Sequence, residues 1–501
     1  MSVESKLRMK IRFKIGTAEE DLLEVVALSV AFLVPVLIRW IPEAQFPYPI
    51  GYDTPMYLAA AKDYSHNSEF FPLLYRILGS LHSMGLDAIV TMKYLPTLLY
   101  GFLGVSAYYF ARSYLEWDRR RSLLAVLILT FSAVSLRISW DLNKQVFSTT
   151  ALLIAFSQLP KLERRSRAAL FIGFGVLVAA SHEFIFALMS GIFIYLLASQ
   201  AFRFLRKEHV NSSFLAVVSV AFISAVLVFL GGWFHWDLSR IYSTGTWSIQ
   251  GSVDFSSSTW FEVVRRYGAI AVLCYAPLVP LGALGVFRRG ALTGWILVAA
   301  IGSFSAFIYP RLCLAFPDRW MYLLIYPTAF FVANAFERLG LANRLSARNG
   351  LTIGMALILI NFVSFSLLGI SQWPTWYPKA PEFFPESMPV SSIPLYDIEA
   401  TAQLMHSLDQ HSHGLVLISH MKYIGWAAYC TNHQVIGWSD LWTPVPTKSI
   451  PRNVPEALDV AKAGQKSEIY LLWYRDTDAT SLGFTKIAES GRMKLYQYHH
   501  G

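Results

Sequence analysis

Residues 119–167 read RRRSLLAVLILTFSAVSLRISWDLNKQVFSTTALLIAFSQLPKLERRSR, and how this stretch divides decides the fold. Two apolar runs, 122–139 and 142–158, flank the polar turn Ser139-Trp140-Asp141-Leu142-Asn143-Lys144. Basic clusters close both ends, with Arg119, Arg120 and Arg121 before and Lys161, Arg164, Arg165 and Arg167 after. Basic residues in short loops mark the cytoplasmic side of a membrane protein. With both clusters inside, the chain must go out and come back, which puts the polar turn on the outer side. Residues 168–201 divide in the same way at Ser181-His182-Glu183, because Arg203, Arg206 and Lys207 follow them.

Working outward, further apolar runs long enough to cross about 30 Å of hydrocarbon at about 1.5 Å per residue fall at 22–40, 89–111, 212–232, 267–286, 291–309, 320–336 and 351–371. The expectation is a polytopic α-helical membrane protein with about eleven transmembrane helices. Composition agrees, since 54% of the 501 residues are hydrophobic and 15% charged, against about 25% charged in soluble proteins. The mean hydropathy is +0.42. These values exclude a disordered chain, a fibrous repeat and an ordinary soluble enzyme.

The net charge of +9 has a membrane explanation. Lys and Arg in the N-terminal tail and inner loops outnumber those in the outer loops by more than two to one. No nucleic-acid partner is therefore signalled, and the reading is an integral protein of the cell membrane with its N-terminus cytoplasmic and its C-terminus outside. The first span reads as a retained signal anchor. Trp40, Trp140, Trp233, Trp236 and Trp320 fall at the expected outer ends and read as an aromatic belt. Cys274, Cys313 and Cys430 are too scattered for a disulfide framework or a zinc site.

The expected organisation is a membrane domain over 1–371, with outer loops at 41–88 and 233–266, and an extracytoplasmic α/β domain over 372–501. In the first loop, 55–64 and 69–83 have apolar positions at helical spacing and read as interfacial amphipathic helices. The tail opens Pro-rich from Pro374 to Pro394. It then predicts a helix at 397–409, strands at 415–419, 434–437 and 468–474, and a hairpin over 484–498 turning at Ser490-Gly491.

Ionisable groups concentrate in the short outer turns. They are Asp53 in Gly51-Tyr52-Asp53-Thr54-Pro55, then Asp141, Asn143 and Lys144, then His182-Glu183, then Asp237, then Arg311 and Asp318-Arg319-Trp320. Each has a structural explanation: Asp53 or Thr54 with Pro55 makes a helix cap, Asp141 caps the following span while Lys144 snorkels, His182 and Glu183 satisfy a tight turn, and Asp318-Arg319 is a weak local pair. Lys93 lies within the second span, where a charge costs about 2.5–3.5 kcal/mol without a polar partner. Together the groups also suit chemistry. An outer acid can take a proton from a hydroxyl or amide nucleophile, and cations at the same level can hold a phosphate or pyrophosphate leaving group. A phosphate headgroup on a polyprenyl tail would place its charge there and its tail among the helices.

This pattern resembles the GT-C superfamily of integral membrane glycosyltransferases, which includes the dolichyl-phosphate-mannose protein mannosyltransferases, the aminoarabinose transferases and the oligosaccharyltransferase catalytic subunits. The resemblance rests on the early acid of Gly51-Tyr52-Asp53-Thr54-Pro55, the turns Trp140-Asp141-Leu142-Asn143-Lys144 and Ser181-His182-Glu183, the late Asp318-Arg319-Trp320-Met321-Tyr322, and the outer tail. It implies inverting transfer of a sugar from a polyprenyl-phosphate donor to a protein, lipid or glycan acceptor, at a site outside the cytoplasm. By that resemblance Asp53 is the general base. Lys144, His182, Arg319 and Arg311 contact the donor phosphate, and Asp141, Asn143, Glu183 and Asp237 position acceptor or sugar. Two departures stand out: the acidic pair of the mannosyltransferases is absent, since Thr54 follows Asp53, and the tail has only Gly437-Trp438-Ser439-Asp440 as a faint echo of the oligosaccharyltransferase motif. No cofactor motif is present, and superfamily members differ in their use of a divalent metal.

Two other readings compete. A transporter or flippase of lipid-linked sugars calls for polar residues at mid-bilayer depth on discontinuous helices, whereas the charges here lie mostly at the outer edge. An assembly or sensor protein that binds a partner through its tail leaves the charged turns without a role.

Overall fold

The computed structural model describes residues 3–51, 53–63, 72–208, 210–233, eight positions within 261–278, and then 279–308, 317–339, 393–411, 415–438, 451–464 and 468–499. The helices in chain order are α1 (Val3–Gln45), α2 (Thr54–Asp63), α3 (Leu73–Ser83), α4 (Ala88–Ser113), α5 (Arg119–Phe131), α6 (Ala133–Asp141), α7 (Asn143–Ser157), α8 (Arg165–Ser181), α9 (Glu183–Leu205) and α10 (Ser212–Trp233). They continue with α11 (Val279–Leu284), α12 (Gly290–Ile308), α13 (Pro317–Leu323) and α14 (Ile325–Arg338).

Local chemistry sets several of these ends. Asp87 caps α4 by accepting from the Val90 backbone N–H at 2.8 Å, and Asp118 caps α5 through Arg121 N–H at 3.0 Å. Ser132 and Leu142 leave helical geometry, so that α5, α6 and α7 follow one another with single-residue breaks. His182 is extended between α8 and α9, and its Nδ1 accepts from Phe184 N–H at 3.1 Å. The turns read from the sequence at 139–144 and 181–183 therefore coincide with helix breaks. Small residues bring helices close. A Cβ on Gly104 of α4 would lie 2.1 Å from the Ala31 carbonyl oxygen of α1.

Among the described residues, four helices are long and apolar enough to cross a membrane: 20–41 within α1, α4, α9, and 212–231 within α10. The α5–α6 pair makes a fifth only if taken together, since it bends by 63°. The eleven crossings are thus not reproduced. The run at 122–139 is broken at Ser132, and the run at 320–336 divides into α13 and α14 at Leu324. Helix α7 has 15 residues, almost all buried, so at about 1.5 Å per residue it is about 22 Å long and enclosed by protein. The runs at 351–371 and most of 267–278 lie outside the described residues, as does the loop 234–260. The architecture remains that of a polytopic helical membrane protein with a small sheet.

The aromatic-belt expectation needs correction. Trp140 and Trp320 are 1% and 6% exposed and belong to the core cluster that joins the helices. Trp40 stacks on Tyr94 with ring centroids 5.0 Å apart. Trp236 lies outside the described residues, as does the Trp233 side chain.

The tail adds α15 (Leu395–His411), β1 (Val416–His420), α16 (Ile424–Cys430), β2 (Gln434–Trp438), α17 (Val454–Ala463), β3 (Ile469–Trp473), β4 (Phe484–Ser490) and β5 (Met493–Tyr498). The sheet order is β2-β1-β3-β5-β4, with β1 parallel to both β2 and β3 and the β3-β5-β4 part antiparallel. Every residue of β1 and β3 is buried, as expected for central strands covered on both faces. Leu417, Tyr470, Leu472 and Leu495 join the cluster that runs into the membrane helices. Val416, Ile418, Ile469 and Leu471 face the other way and pack with Ala457, Leu458 and Ala461 of α17. The expected hairpin forms, turning through Gly491 at φ +57°.

Helix α16 seats this unit on α2. A Cβ on Gly425 would lie 2.7 Å from Pro55 Cβ and 3.0 Å from Met56 N. Lys62 Nζ donates to the carbonyls of Tyr429 at 3.0 Å and Thr431 at 3.3 Å, closing the C-terminal end of α16. Tyr48 meets Trp426 edge to face at 5.3 Å.

The Gly104 contact yields a prediction. Gly104→Val forces α1 and α4 apart and costs about 1–3 kcal/mol, so the unfolding midpoint in detergent falls by several degrees. An unchanged midpoint contradicts the close approach.

Candidate functional site

The site begins at the end of α1. Arg39 and Glu43, one helical turn apart, form an ion pair in which both side chains are 0% exposed. Arg39 Nε also donates to the Ser139 carbonyl at 3.3 Å, and Glu43 Oε1 accepts from Ile50 N–H at 2.9 Å. Thr54 Oγ1 then contacts the carbonyls of Ile50 at 2.9 Å and Trp140 at 3.4 Å. Gly51, at φ +135°, passes so near α6 that a Cβ there would sit 2.1 Å from the Trp140 carbonyl oxygen. Only glycine adopts that conformation in that space. The loop carrying Asp53 is therefore held against the end of α6 by buried polar contacts on both sides.

Asp53 sits immediately before α2, and its carbonyl accepts from Met56 N–H at 3.0 Å. Burial pushes its carboxyl up, while the positive charges of Arg319, Lys144 and Arg137 pull it down, and the balance lies above the ordinary carboxylate value. Those three cations come from α13, α7 and α6, so four separate segments converge. Lys144 is buried and does not snorkel. Its Nζ lies 5.0 Å from the centre of the Tyr75 ring on α3, and its backbone N–H donates to Tyr57 Oη at 3.2 Å. Arg319 is half-buried, with its guanidinium 5.7 Å from the centre of the Phe184 ring.

The remaining sequence candidates fall as follows. His182 and Glu183 open α9 beside Phe184, within electrostatic reach of Lys144 and Arg319. Because His182 Nδ1 accepts the Phe184 N–H, the neutral ring carries its proton on Nε2. Glu183 Oε2 is buried and makes no hydrogen bond among the described residues. Asp141 ends α6 and pairs with Arg137 at 2.6 Å, both nearly buried, so it does not cap α7 as the sequence suggested. Asn143 is 1% exposed, and neither polar atom of its amide is hydrogen-bonded among the described residues. Lys93 donates to the Phe46 carbonyl at 2.7 Å, which answers the question of its partner. Arg311, Asp237 and the Asp318 side chain lie outside the described residues. Among the described residues, no group of three or more His, Cys, Asp or Glu side chains is arranged to hold a metal ion.

Sequence reasoning missed Arg137 and the Arg39–Glu43 pair. Arg137 and Asp141 stand four apart, as do Arg39 and Glu43, and this is the spacing at which helix neighbours pair. That signal was available within runs taken to be spans or their ends.

No family model matches the chain, and no curated protein matches it. Solved structures do. ArnT from Cupriavidus metallidurans, in a crystal structure bound to undecaprenyl phosphate, is 12% identical, with 96% of this chain and 98% of that one covered and a TM-score of 0.49. The arabinofuranosyltransferase AftD from mycobacteria, solved by single-particle cryo-EM, is 15% identical with a TM-score of 0.50. That match covers 95% of this chain and 40% of AftD, so the chain spans about two fifths of that protein's length. At this identity the likeness to AftD is one of fold alone.

The buried pair gives a prediction that needs no substrate. Removing one partner of such a pair costs about 3–5 kcal/mol, because the other charge is left buried alone. Arg39→Met and Glu43→Leu each destabilise strongly, and the double variant loses less than the sum. Additive losses in the double-mutant cycle contradict a coupled pair.

Proposed function

We propose that the protein is a membrane glycosyltransferase that moves a sugar from a polyprenyl-phosphate donor to an acceptor on the outer face, with inversion at the anomeric carbon. The observation that carries this reading is the convergence of one half-buried carboxyl, Asp53, with the cations Arg319, Lys144 and Arg137. The likeness to AftD supports the fold on which such a site is built.

The chemistry follows from the charges. An acceptor hydroxyl or amide attacks the anomeric carbon while the bond from that carbon to the phosphate oxygen breaks, and the electron pair leaves with the polyprenyl phosphate. The acceptor proton passes to Asp53. The leaving phosphate goes from one negative charge to two, so cations placed beside it stabilise the transition state more than the donor. Lys144 and Arg319 take that role, with His182 donating through Nε2. Arg137 neutralises Asp141 and keeps Asp53 from rising further. Glu183 and Asn143, with polar atoms unengaged among the described residues, bind the sugar or acceptor. Arg311 and Asp237 are assigned to phosphate and acceptor by resemblance alone. In this reading residues 1–371 form the membrane-embedded transferase, 372–501 the outer α/β domain, and the N-terminus is cytoplasmic.

Asp53→Asn keeps size and removes the base. Transfer then falls by at least about a hundredfold, with an unchanged elution profile and unfolding midpoint, and retention of full activity contradicts the reading. The pH profile gives a second check. Asp53 works ionised, so the rate falls as pH drops through its raised value, above the usual carboxylate value of about 4. Arg137→Gln removes a charge that lowers that value, so the acid limb moves to higher pH. A limb that stays in place or moves down contradicts the electrostatic role.

A further inference from the structure

At the far end of α9 from His182 lies a half-open cavity of about 520 Å³, between the last turns of α9 and the first turn of α12. The distance from Glu183 to Arg203 along the helix is about 30 Å, so the cavity opens on the opposite face from Asp53, at the level of the basic clusters. Leu196, Ser199, Gln200 and Arg203 follow one another at helical spacing along one stripe of α9 and line it. Arg288 and Arg289 enter from the segment before α12, and Thr293 from its first turn. Close helix approach fixes the walls, since a Cβ on Gly294 would lie 2.9 Å from Tyr195 Cδ1 and one on Gly290 3.1 Å from Leu196 Cδ2.

The electrostatics of this cavity are one-sided. Arg289 pairs with Glu116 at 3.5 Å, with both side chains largely exposed, and such a pair is weak. Among the described residues no carboxylate lies within ion-pair distance of Arg203 or Arg288, both of which are exposed. The N-terminal end of α12 adds partial positive charge. Gln200 Oε1 is buried in the wall with no hydrogen-bond partner among the described residues. The Ser199 hydroxyl is committed to the Tyr195 carbonyl at 2.8 Å, so the groups left for a ligand are mainly cationic.

We propose that this cavity is a binding site for a phosphate ester, distinct from the Asp53 site, in which Arg203 and Arg288 grip the phosphate and the amide of Gln200 and the hydroxyl of Thr293 meet the polar group beyond it. A basic pocket between helix ends at the cytoplasmic surface fits the phosphate of an anionic phospholipid, and its volume exceeds that of inorganic phosphate alone. The site does not depend on the transfer chemistry.

The test uses the full-length protein in nanodiscs. Thermal unfolding is followed in phosphatidylcholine alone, in phosphatidylcholine with phosphatidylglycerol, and in phosphatidylcholine with millimolar inorganic phosphate. The Arg203→Gln/Arg288→Gln variant is compared with an Arg206→Gln/Lys207→Gln control, whose residues lie on the same face but outside the cavity lining. The expected result is a midpoint several degrees higher with phosphatidylglycerol, kept in the control and lost in the cavity variant, and native mass spectrometry retaining a phosphatidylglycerol molecule on the wild type alone of that pair. A shift with inorganic phosphate that the cavity variant loses also supports the site and assigns it to a soluble phosphate. Equal shifts in the wild type and the cavity variant, or no shift with either ligand, overturn the proposal.

Discussion

The buried pair between Arg39 and Glu43 is the constraint on which the arrangement around Asp53 depends. Two charges with no exposed surface depend on hydrogen bonds to their other polar atoms; Arg39 Nη2 has none among the described residues, but Arg39 Nε and Glu43 Oε1 are both engaged. Here that engagement ties three segments together, because Arg39 reaches the Ser139 carbonyl at the end of α6 and Glu43 receives the Ile50 N–H of the following loop. Thr54 completes the tie by reaching both Ile50 and Trp140. Asp53 lies between the tied residues, so its position relative to α6 follows from a salt bridge that it does not touch.

Helix breaks supply the other half of the arrangement. Leu142 and His182 break the helical path between apolar runs, and residues beside these breaks, Lys144 and Glu183, come within electrostatic reach of each other. Short, enclosed helices such as α7 follow from the same logic, since polar backbone and side chains at membrane depth are tolerated when protein surrounds them. The tail contributes through α16, whose Gly425 touches the first turn of α2 directly after Asp53. A change in the seating of the tail would therefore be felt at the N-terminus of that helix.

Much of this was legible in the sequence because it is local. The turns at 139–144 and 181–183, the helices Thr54–Asp63 and Leu73–Ser83 and the tail hairpin are set by charge, spacing and glycine. Helix α17 was legible too and went unread, since Asn453 with Glu456 three residues on is a capping signal, and Asn453 Oδ1 does accept from Glu456 N–H at 2.8 Å. Helix α16 has seven residues, too few to show a period. Arg137 and Arg39 were legible only as the i, i+4 partners of Asp141 and Glu43. Their importance comes from contacts with distant segments, and an apolar run gives no sign of which of its charges is enclosed. The same limit explains the span count, because hydropathy registers an apolar stretch and not a bend at Ser132 or enclosure by protein.

The central claim is that Asp53, Lys144 and Arg319 form one phosphate-centred site, and a structure with a short-chain polyprenyl monophosphate bound tests it most directly. The account predicts phosphate density between Lys144 and Arg319, facing Asp53, with the chain running outward among the helices, and loss of binding in Lys144→Met/Arg319→Met. Density elsewhere, or binding unaffected by that double substitution, would contradict it.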